Sequence, residues 1–208
     1  TLAMRYADQG ADELLCLDLT ASLYDRALDL DLVRRIAETI YIPLTVGGGV
    51  RSLDDIRRAL RAGADKVAIN TAAIARPHLI DEAARAFGSQ AIVVSVEAGR
   101  AGAAYVEAGR QLTRREVVTW CREACERGAG EILLTSVDRD GTAGGYDLDL
   151  IEASCSLSAP LVASGGFGRP SDALAALRRG AAAVAVRAWL HHGGRIGEIK
   201  PALAPAGV

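Results

Sequence analysis

Short runs of apolar residues recur along the chain, separated by longer stretches in which charged and apolar residues alternate at helical spacing. The apolar runs are continuous in Val, Ile, Leu and Ala, which is typical of strands that are covered on both faces. We predict strands over residues 13–19, 42–48, 66–70, 91–96, 131–137, 160–166 and 182–186. Strands that alternate with helices across short connections predict a parallel sheet with helical crossovers.

The stretches between the runs carry signals for helix ends. Ser52 and Ser171 are predicted N-caps, since a serine hydroxyl accepts a free backbone N–H of the first turn. The predicted C′ residues are glycines, which adopt the left-handed conformation at little cost: Gly63, Gly128 and Gly180. Residues 97–113 fit neither pattern, and we predict a small hairpin or loop excursion there.

The chain also repeats itself. Residues 48–70 align without a gap on residues 165–187, and "GADELL" (10–15) resembles "GAGEILL" (128–134). Seven predicted strands in two similar halves predict a (β/α)8 TIM barrel of the half-barrel-repeat, phosphate-binding type, with its first strand missing from this sequence. We expect one domain over residues 1–208, incomplete at its N-terminus. A doubly wound open sheet is the alternative, although its G-x-G-x-x-G fingerprint is absent.

The composition of the chain limits the kinds of partner that it is expected to bind. The net charge is −2 and aromatic residues make up 4% of the chain, which disfavours a nucleic-acid-binding surface. No apolar run reaches the roughly 18 residues of a membrane span, so we expect a cytoplasmic protein. The four cysteines lack the spacing of a zinc site, and we predict buried free thiols, with no metal and no cofactor.

Polar residues follow the predicted strands, at the end where barrel enzymes build their sites. Two of these ends carry glycine pairs, Gly48-Gly49 and Gly165-Gly166. Glycine lets backbone N–H groups approach an anion closely, and the following helix adds its positive end. The repeat therefore predicts two phosphate sites at one mouth, whereas the simpler interpretation is that the glycines only form tight turns.

At these positions the chain resembles a known family. The segments are "LDLTAS", "TVGGGVRS", "GADKVAINTAA", "LLTSVDRDGTAGGYD" and "VASGGFG". Together they are similar to the cyclase subunit of imidazole glycerol phosphate synthase, a histidine-biosynthesis enzyme, over essentially the whole chain. The resemblance implies a partner glutaminase that delivers ammonia through the N-terminal face of the barrel in a heterodimer. It also implies a ribonucleotide substrate, PRFAR, with a phosphate at each end, which is converted to imidazole glycerol phosphate and AICAR.

The resemblance assigns roles to individual residues. One phosphate would be held by Gly49, Asn70 and Thr71, and the other by Gly141, Gly166 and the end of the last strand, beside Gly165 of the second glycine pair. Arg187, at that strand end, could either pair with the phosphate or plug its pocket. Asp18 belongs to the same strand-end set, and the middle of the substrate would contact Thr135, Asp140 and Ser164. A charged ammonia gate at the bottom of the barrel would consist of Glu13, Lys66 and Glu131. These three residues also suit a plain salt-bridge cluster at the strand starts.

The chain departs from the family at catalytic positions. Glu97 stands where the family has an aspartate, Gly99 where it has a lysine, and Arg187 where it has a small residue. The other family aspartate belongs to the strand that this sequence lacks. Two alternatives to the cyclase therefore stay open. One is an impaired or repurposed phosphosugar-binding barrel, and the other is an amidotransferase partner in polysaccharide synthesis. Returning Asp to position 97 is predicted to raise cyclase activity.

Overall fold

Strands and helices alternate along the chain in the computed structural model, which describes residues 1–21, 24–99 and 102–204. The strands are β1 (Leu14–Leu17), β2 (Leu44–Gly47), β3 (Lys66–Ile69), β4 (Ile92–Ala98), β5 (Ala103–Val106), β6 (Gln111–Glu116), β7 (Glu131–Ser136), β8 (Leu161–Ser164) and β9 (Ala183–Val184). The α-helices are α1 (Leu2–Asp8), α2 (Leu30–Ala37), α3 (Leu53–Arg61), α4 (Thr71–Ala75), α5 (His78–Phe87), α6 (Val117–Glu126), α7 (Leu148–Ala153), α8 (Pro170–Arg178), α9 (Ala188–His191) and α10 (Ile199–Leu203). Short 3-10 helices cover Ser89–Ala91 and Ile196–Glu198.

All seven predicted strands are confirmed, with ends that differ by a few residues. The segment 97–113 is confirmed as a hairpin, in which β5 pairs antiparallel with β4 and with β6. Its residues 100 and 101 lie outside the described part, as does Ser22 of the "LDLTAS" segment.

The parallel strands lie in the sheet in chain order, β1-β2-β3-β4-β7-β8-β9. A doubly wound sheet reverses its winding direction at one point, and this order contains no reversal. The (β/α) barrel prediction is confirmed and the doubly wound alternative is wrong. Among the described strands, β1 and β9 end the order and do not pair with each other. The additional strand expected before residue 1 lies outside these residues and stays a prediction.

The two faces of the sheet bury different cores, because successive side chains of a strand point to opposite faces. The larger core lies under the helices and includes Val46, Val67, Val94, Ile132 and Trp120. The smaller core on the other face includes Ala68, Val93, Leu133, Leu15 and Val162. Counting in twos from this smaller core places Lys66, Glu97 and Thr135 on the same inner face. The barrel interior therefore carries polar groups at both ends of the strands and apolar groups between them.

Helix ends follow the sequence signals with one exception. Ser52 caps α3 by accepting the N–H of Asp55, and Gly63, Gly128 and Gly180 follow their helices with φ of +108°, +104° and +102°. The prediction for Ser171 is wrong, because α8 begins at Pro170 and its N-cap is Arg169. Proline suits the first helical position, because the N–H that it lacks would have no intrahelical partner there. The N-cap therefore lies two residues before Ser171.

The cysteines are free thiols, but their burial is less uniform than predicted. Cys121 is buried, Cys16 and Cys125 are half-buried, and Cys155 is exposed. The prediction of burial is therefore wrong for Cys155, which lies in the turn after α7. Within residues 1–21, 24–99 and 102–204, no helix has the length and apolar character to cross a membrane.

Candidate active site

Polar side chains at the ends of three neighbouring strands lie side by side. Glu97 of β4 is in register with Thr135 of β7, and Thr135 is in register with Ser164 of β8. Because the strands are parallel, all three residues lie at the same edge of the sheet. One glycine pair directly follows Ser164 at the end of β8, and the other follows β2, on the far side of β3. The edge therefore carries a row of polar groups between two glycine turns.

A cavity of about 520 Å³ opens at this edge. Its lining contains several residues that the sequence assigns to a site: Asp18, Gly49, Asn70, Thr71 and Glu97. The remaining strand-end candidates lie outside this lining: Thr135, Asp140, Gly141, Ser164, Gly165, Gly166 and Arg187. The structure thus separates the predicted residues into a first cradle, which lines the cavity with Glu97, and a second cradle on the far side of Thr135.

Glu97 is the central ionisable group of the cavity. Its Oε2 accepts the backbone N–H of Gly109 at 2.8 Å, and its carboxylate is also hydrogen-bonded by the side chain of Asn70. Burial raises the pKa of Glu97 above its usual range, and the Asp140 carboxylate raises it further, against the lowering effect of these two hydrogen bonds. A carboxyl group with a raised pKa suits the exchange of a proton with a substrate near neutral pH.

The first cradle is held by the loop that follows β1. Asp18 Oδ1 accepts the N–H of Thr20 and of Ala21 at 3.0 and 3.1 Å, and Arg26 lies 3.3 Å from Oδ2. Although partial burial alone would raise it, the pKa of Asp18 is lowered by its hydrogen bonds with Thr20 and Ala21 and by Arg26. Asp18 is therefore an anionic group that orders the loop, with its lone pairs already engaged.

The two glycine pairs have matching surroundings. A Cβ on Gly48 would lie 2.3 Å from the carbonyl oxygen of Asp18, and one on Gly165 would lie 2.6 Å from that of Ser136. Both glycines have positive φ, +98° and +87°. The backbone at the end of the preceding strand lies directly against the first glycine of each pair, so a side chain is excluded at both positions. Close backbone packing is thus one requirement for these glycines, in agreement with the simpler interpretation of the sequence.

The helix ends beside the cradles are partly capped by their own aspartates. Asp55 Oδ2 accepts the N–H of Arg51 at 3.0 Å, and Asp172 Oδ2 accepts the N–H of Gly168 at 2.9 Å. Asp55 and Asp172 occupy equivalent places in the sequence repeat. The prediction that α3 and α8 add positive helix ends to the phosphate sites is therefore weakened, because carboxylates already engage donors at both starts.

The second cradle contains an ion pair. Arg187, after β9, lies with Nη2 2.6 Å from Oδ2 of Asp140, in the loop after β7. Both side chains are largely exposed, at 52% and 37%. Gly141 has φ of +75° with open space where a Cβ would lie. Of the candidate residues here, Gly165 and Gly166 are buried, whereas Arg187 and Asp140 are exposed, and of these two only Arg187 has the charge to attract an anion.

A charged cluster lies at the opposite end of the strands. Lys66 Nζ contacts Glu13 Oε2 at 2.7 Å and Glu131 Oε2 at 2.9 Å, and Thr45 donates its hydroxyl to Glu13. Burial would lower the pKa of Lys66, but its hydrogen bonds with the two glutamates raise it. The three predicted gate residues are thus one ion-paired cluster, and the cluster is separated from Glu97 by the small apolar core of the inner face.

Several groups in the site were not predicted from the sequence. Ser95 lines the cavity two residues before Glu97 on the same face of β4, a spacing that a period-two count would have found. Arg51 and Arg76 also line it, and the Gly109 N–H reaches Glu97 from the hairpin. In the described part of the chain, no cluster of three or more His, Cys, Asp or Glu has the arrangement of a metal site.

Comparisons with known proteins place the chain in a family. The family profile described as histidine biosynthesis protein matches residues 1–195. The imidazole glycerol phosphate synthase subunit HisF of Gluconacetobacter diazotrophicus is 53% identical over 209 residues, covering 98% of this chain and 81% of the relative. The same subunit of Micrococcus luteus is 49% identical over 217 residues, covering 99% and 85%. That of Helicobacter hepaticus is 47% identical over 195 residues, covering 92% and 78%. The chain therefore belongs to the histidine biosynthesis protein family, among the HisF subunits.

Proposed function

We propose that the chain is the cyclase subunit of imidazole glycerol phosphate synthase, acting in the cytoplasm on a ribonucleotide with a phosphate at each end. The observation that carries this proposal is the row Glu97, Thr135 and Ser164, which lies in register between two glycine pairs at one edge of the sheet. An elongated substrate with two anionic ends matches this arrangement. Its reacting centre would then lie beside Glu97.

Each part of the substrate has a proposed partner. The first cradle, with Gly49, Asn70 and Thr71, binds one phosphate. The second cradle, with Gly141, Gly165, Gly166 and Arg187, binds the other, while Thr135, Ser164 and Asp140 contact the middle of the substrate. Arg187 offers a planar pair of N–H donors that fits a phosphate. We expect the incoming phosphate to replace the Asp140 carboxylate as its partner, which is feasible because the pair is exposed.

Ammonia reaches this centre from the other end of the sheet. We propose that a partner glutaminase binds the N-terminal face and releases ammonia beside Glu13, Lys66 and Glu131. The ammonia passes along the inner face, between the apolar side chains of its core, and attacks the substrate at the C-terminal edge. Glu97 exchanges a proton with the reacting centre, and its raised pKa favours this role over that of an ordinary carboxylate. The products are imidazole glycerol phosphate and AICAR.

Incubating the purified chain with PRFAR and an ammonium salt tests the cyclase directly. The expected result is imidazole glycerol phosphate, with at least a 100-fold lower rate for Glu97→Gln, in line with the roughly 10²- to 10⁴-fold contribution of a general acid or base. Circular dichroism would verify that both proteins are folded. A folded chain that forms no product would reject the proposal.

A second candidate is a phosphosugar-binding barrel with altered specificity. The ion pair of Arg187 and Asp140 favours it, because a paired arginine occupies the second cradle. Calorimetry with PRFAR separates the two functions. Binding without turnover supports the second candidate, whereas turnover supports the cyclase.

A further inference from the structure

The tip of the hairpin formed by β5 and β6 contacts both Glu97 and Thr71, which line the cavity of the first cradle. The tip consists of Glu107, Ala108 and Gly109. Gly109 donates its N–H to Oε2 of Glu97 at 2.8 Å, and Glu107 donates its N–H to the hydroxyl oxygen of Thr71 at 3.4 Å. Ala108, between them, lines the cavity. One short turn therefore engages the proposed acid–base group and a proposed phosphate ligand.

The backbone of this tip is held in an unfavourable conformation. Glu107, Ala108 and Gly109 have φ of +55°, +57° and +77°. The left-handed region costs conformational free energy for residues other than glycine, and such residues persist only where their surroundings enforce them. Here the surroundings include Val137, directly after β7, whose methyl groups would lie 2.9 and 3.1 Å from a Cβ on Gly109. The tip is thus packed in one place against the active-site end of the sheet.

The direction of the two hydrogen bonds has a consequence for ligands. A hydroxyl has one proton to donate and two lone pairs. Because Thr71 already accepts from Glu107, its proton is left to donate toward a phosphate oxygen in the cavity. Because a carboxylate has about four acceptor sites, the bonds from Gly109 and Asn70 leave Glu97 with lone pairs that can face the substrate. Each bond therefore orients a group without consuming the part of it that the substrate needs.

We propose that the hairpin tip Glu107–Gly109 is a positioning element that fixes Glu97 for proton exchange and Thr71 for phosphate binding through two backbone N–H groups. This proposal rests on the proposed function for the identity of the substrate. The tip acts on Glu97 and Thr71, and its own side chains take no part in the chemistry. Other groups near Glu97 are the Asn70 side chain and the Asp140 carboxylate, and the same cavity is lined by Asp18, Asp25, Arg51 and Arg76.

The chain offers a matched pair of substitutions to test the tip. Gly109→Ala puts a Cβ against Val137 and displaces the tip. Gly102→Ala, at the other end of the hairpin, has a similar φ of +67° but open space around its Cβ, so it carries the same backbone penalty without the collision. Adding Val137→Ala to Gly109→Ala removes the two colliding methyl groups and should restore the tip. Gly109→Pro removes the N–H donor outright.

The primary measurement is an NMR titration of the Glu97 side-chain carboxyl carbon. Losing one hydrogen bond to a charged group should raise its titration midpoint by about one to two pH units. We expect this rise in Gly109→Ala and Gly109→Pro, but not in Gly102→Ala or in the Gly109→Ala/Val137→Ala double variant. Binding of inorganic phosphate, measured by calorimetry, should weaken several-fold in the same two variants. Unchanged midpoints and unchanged phosphate binding in both Gly109 variants would overturn the proposal.

These readouts do not depend on turnover. If the wild-type chain fails to cyclise PRFAR but the Gly109 variants shift the Glu97 midpoint, the proposed function is rejected and the positioning role stands. If the wild type cyclises and the Gly109 variants shift neither readout, the positioning role is rejected and the function stands. If the wild type cyclises PRFAR and the Gly109 variants shift the Glu97 midpoint, kcat of Gly109→Ala should fall more than its KM rises, because Glu97 acts in the chemical step.

Discussion

At the residue scale, the groups around Glu97 act on its protonation in opposite directions. Burial and the Asp140 carboxylate favour its neutral form, and hydrogen bonds from Gly109 and Asn70 favour the anion, with the balance raising its pKa. Of these neighbours, Asn70 and Asp140 are candidate site residues in the sequence, whereas Gly109 is not and acts through its backbone N–H. The chemistry of this carboxyl group is therefore decided by contacts that only folding creates.

The raised pKa of Glu97 predicts a pH-dependent effect of Glu97→Gln on stability. A carboxyl whose folded pKa exceeds its unfolded value stabilises the fold fully below the unfolded pKa, and this contribution is lost as pH rises through the folded pKa. Glutamine stays neutral throughout. Relative to wild type, the free energy of unfolding of the variant in urea should therefore increase between pH 4 and pH 8. A difference that stays constant across this range would contradict the prediction.

Glu97→Asp is a second residue-scale prediction. The sequence alone favours a gain in activity, because the family has aspartate there. The 2.8 Å hydrogen bond from Gly109 reverses that expectation, since the shorter side chain would withdraw from this donor. We expect kcat/KM to fall by roughly 10- to 100-fold, the scale of a misplacement of about 1 Å or more. Steady-state assays with ammonium decide it, and a rise in kcat/KM would favour the sequence-based expectation.

Arg187→Ala tests whether this arginine binds phosphate or blocks it. If Arg187 binds phosphate, losing a charged hydrogen-bond donor should weaken bisphosphate binding by roughly tenfold or more. Arg179→Ala is the matched control, because Arg179 is an exposed arginine paired with Glu152 on the helical side. Calorimetry gives both affinities. Tighter binding by Arg187→Ala would mean that the arginine obstructs the cradle.

At the scale of elements, the repeat is visible in helix starts as well as in glycines. Asp55 in the first turn of α3 and Asp172 in the first turn of α8 accept equivalent backbone N–H groups and fasten each glycine turn to its helix. The sequence predicted the seven strands and the hairpin because continuous apolar runs and turn residues are local signals. It could not predict that Gly109 reaches Glu97, because a hydrogen bond between positions 97 and 109 depends on how the hairpin folds back.

Asp55→Ala should lower the free energy of unfolding by about 1 kcal/mol at pH 7, the usual value of a cap. Although partial burial raises it, the pKa of Asp55 is lowered by the N–H of Arg51, the hydroxyl of Ser52 and Arg58. Its contribution is present above the unfolded pKa and is lost as pH falls through the folded one. The effect should therefore shrink below pH 4 in urea titrations.

Asp54→Ala is the control for this cap. Asp54 lies in the same first turn, but its side chain is exposed and makes only surface ion pairs with Arg57 and Arg58. Such pairs contribute about 0 to 1 kcal/mol. Equal destabilisation by the two substitutions would argue against the capping role of Asp55.

At the scale of the whole molecule, the parallel order of strands separates two charged ends. The Glu13–Lys66–Glu131 cluster lies at the strand starts, and Glu97 lies at a strand end. A substitution at a group that controls ammonia entry should then change the turnover supported by glutamine and leave the turnover supported by free ammonium unaffected. This separation gives a prediction that neither end provides alone.

Lys66→Met should lower glutamine-supported turnover by roughly tenfold, the effect of one 1.4 kcal/mol interaction. The two glutamates lose their cationic partner, so the entrance below the inner face rearranges. Ammonium-supported turnover should change little, because Glu97 and both cradles lie at the other end of the strands. The ratio of the two rates, measured with the glutaminase partner present, checks this. An equal fall in both rates would mean that Lys66 supports the fold and not the passage of ammonia.

The sequence by itself determined the alternation of strands and helices, the internal repeat and the set of polar strand ends, because these are properties of neighbouring residues and of a fixed side-chain period. The tertiary structure decided which strand ends share a cavity, that Arg187 pairs with Asp140, and that a hairpin tip holds Glu97. These contacts join residues distant in sequence. Their existence depends on strand register and on the path of loops, which no local pattern specifies.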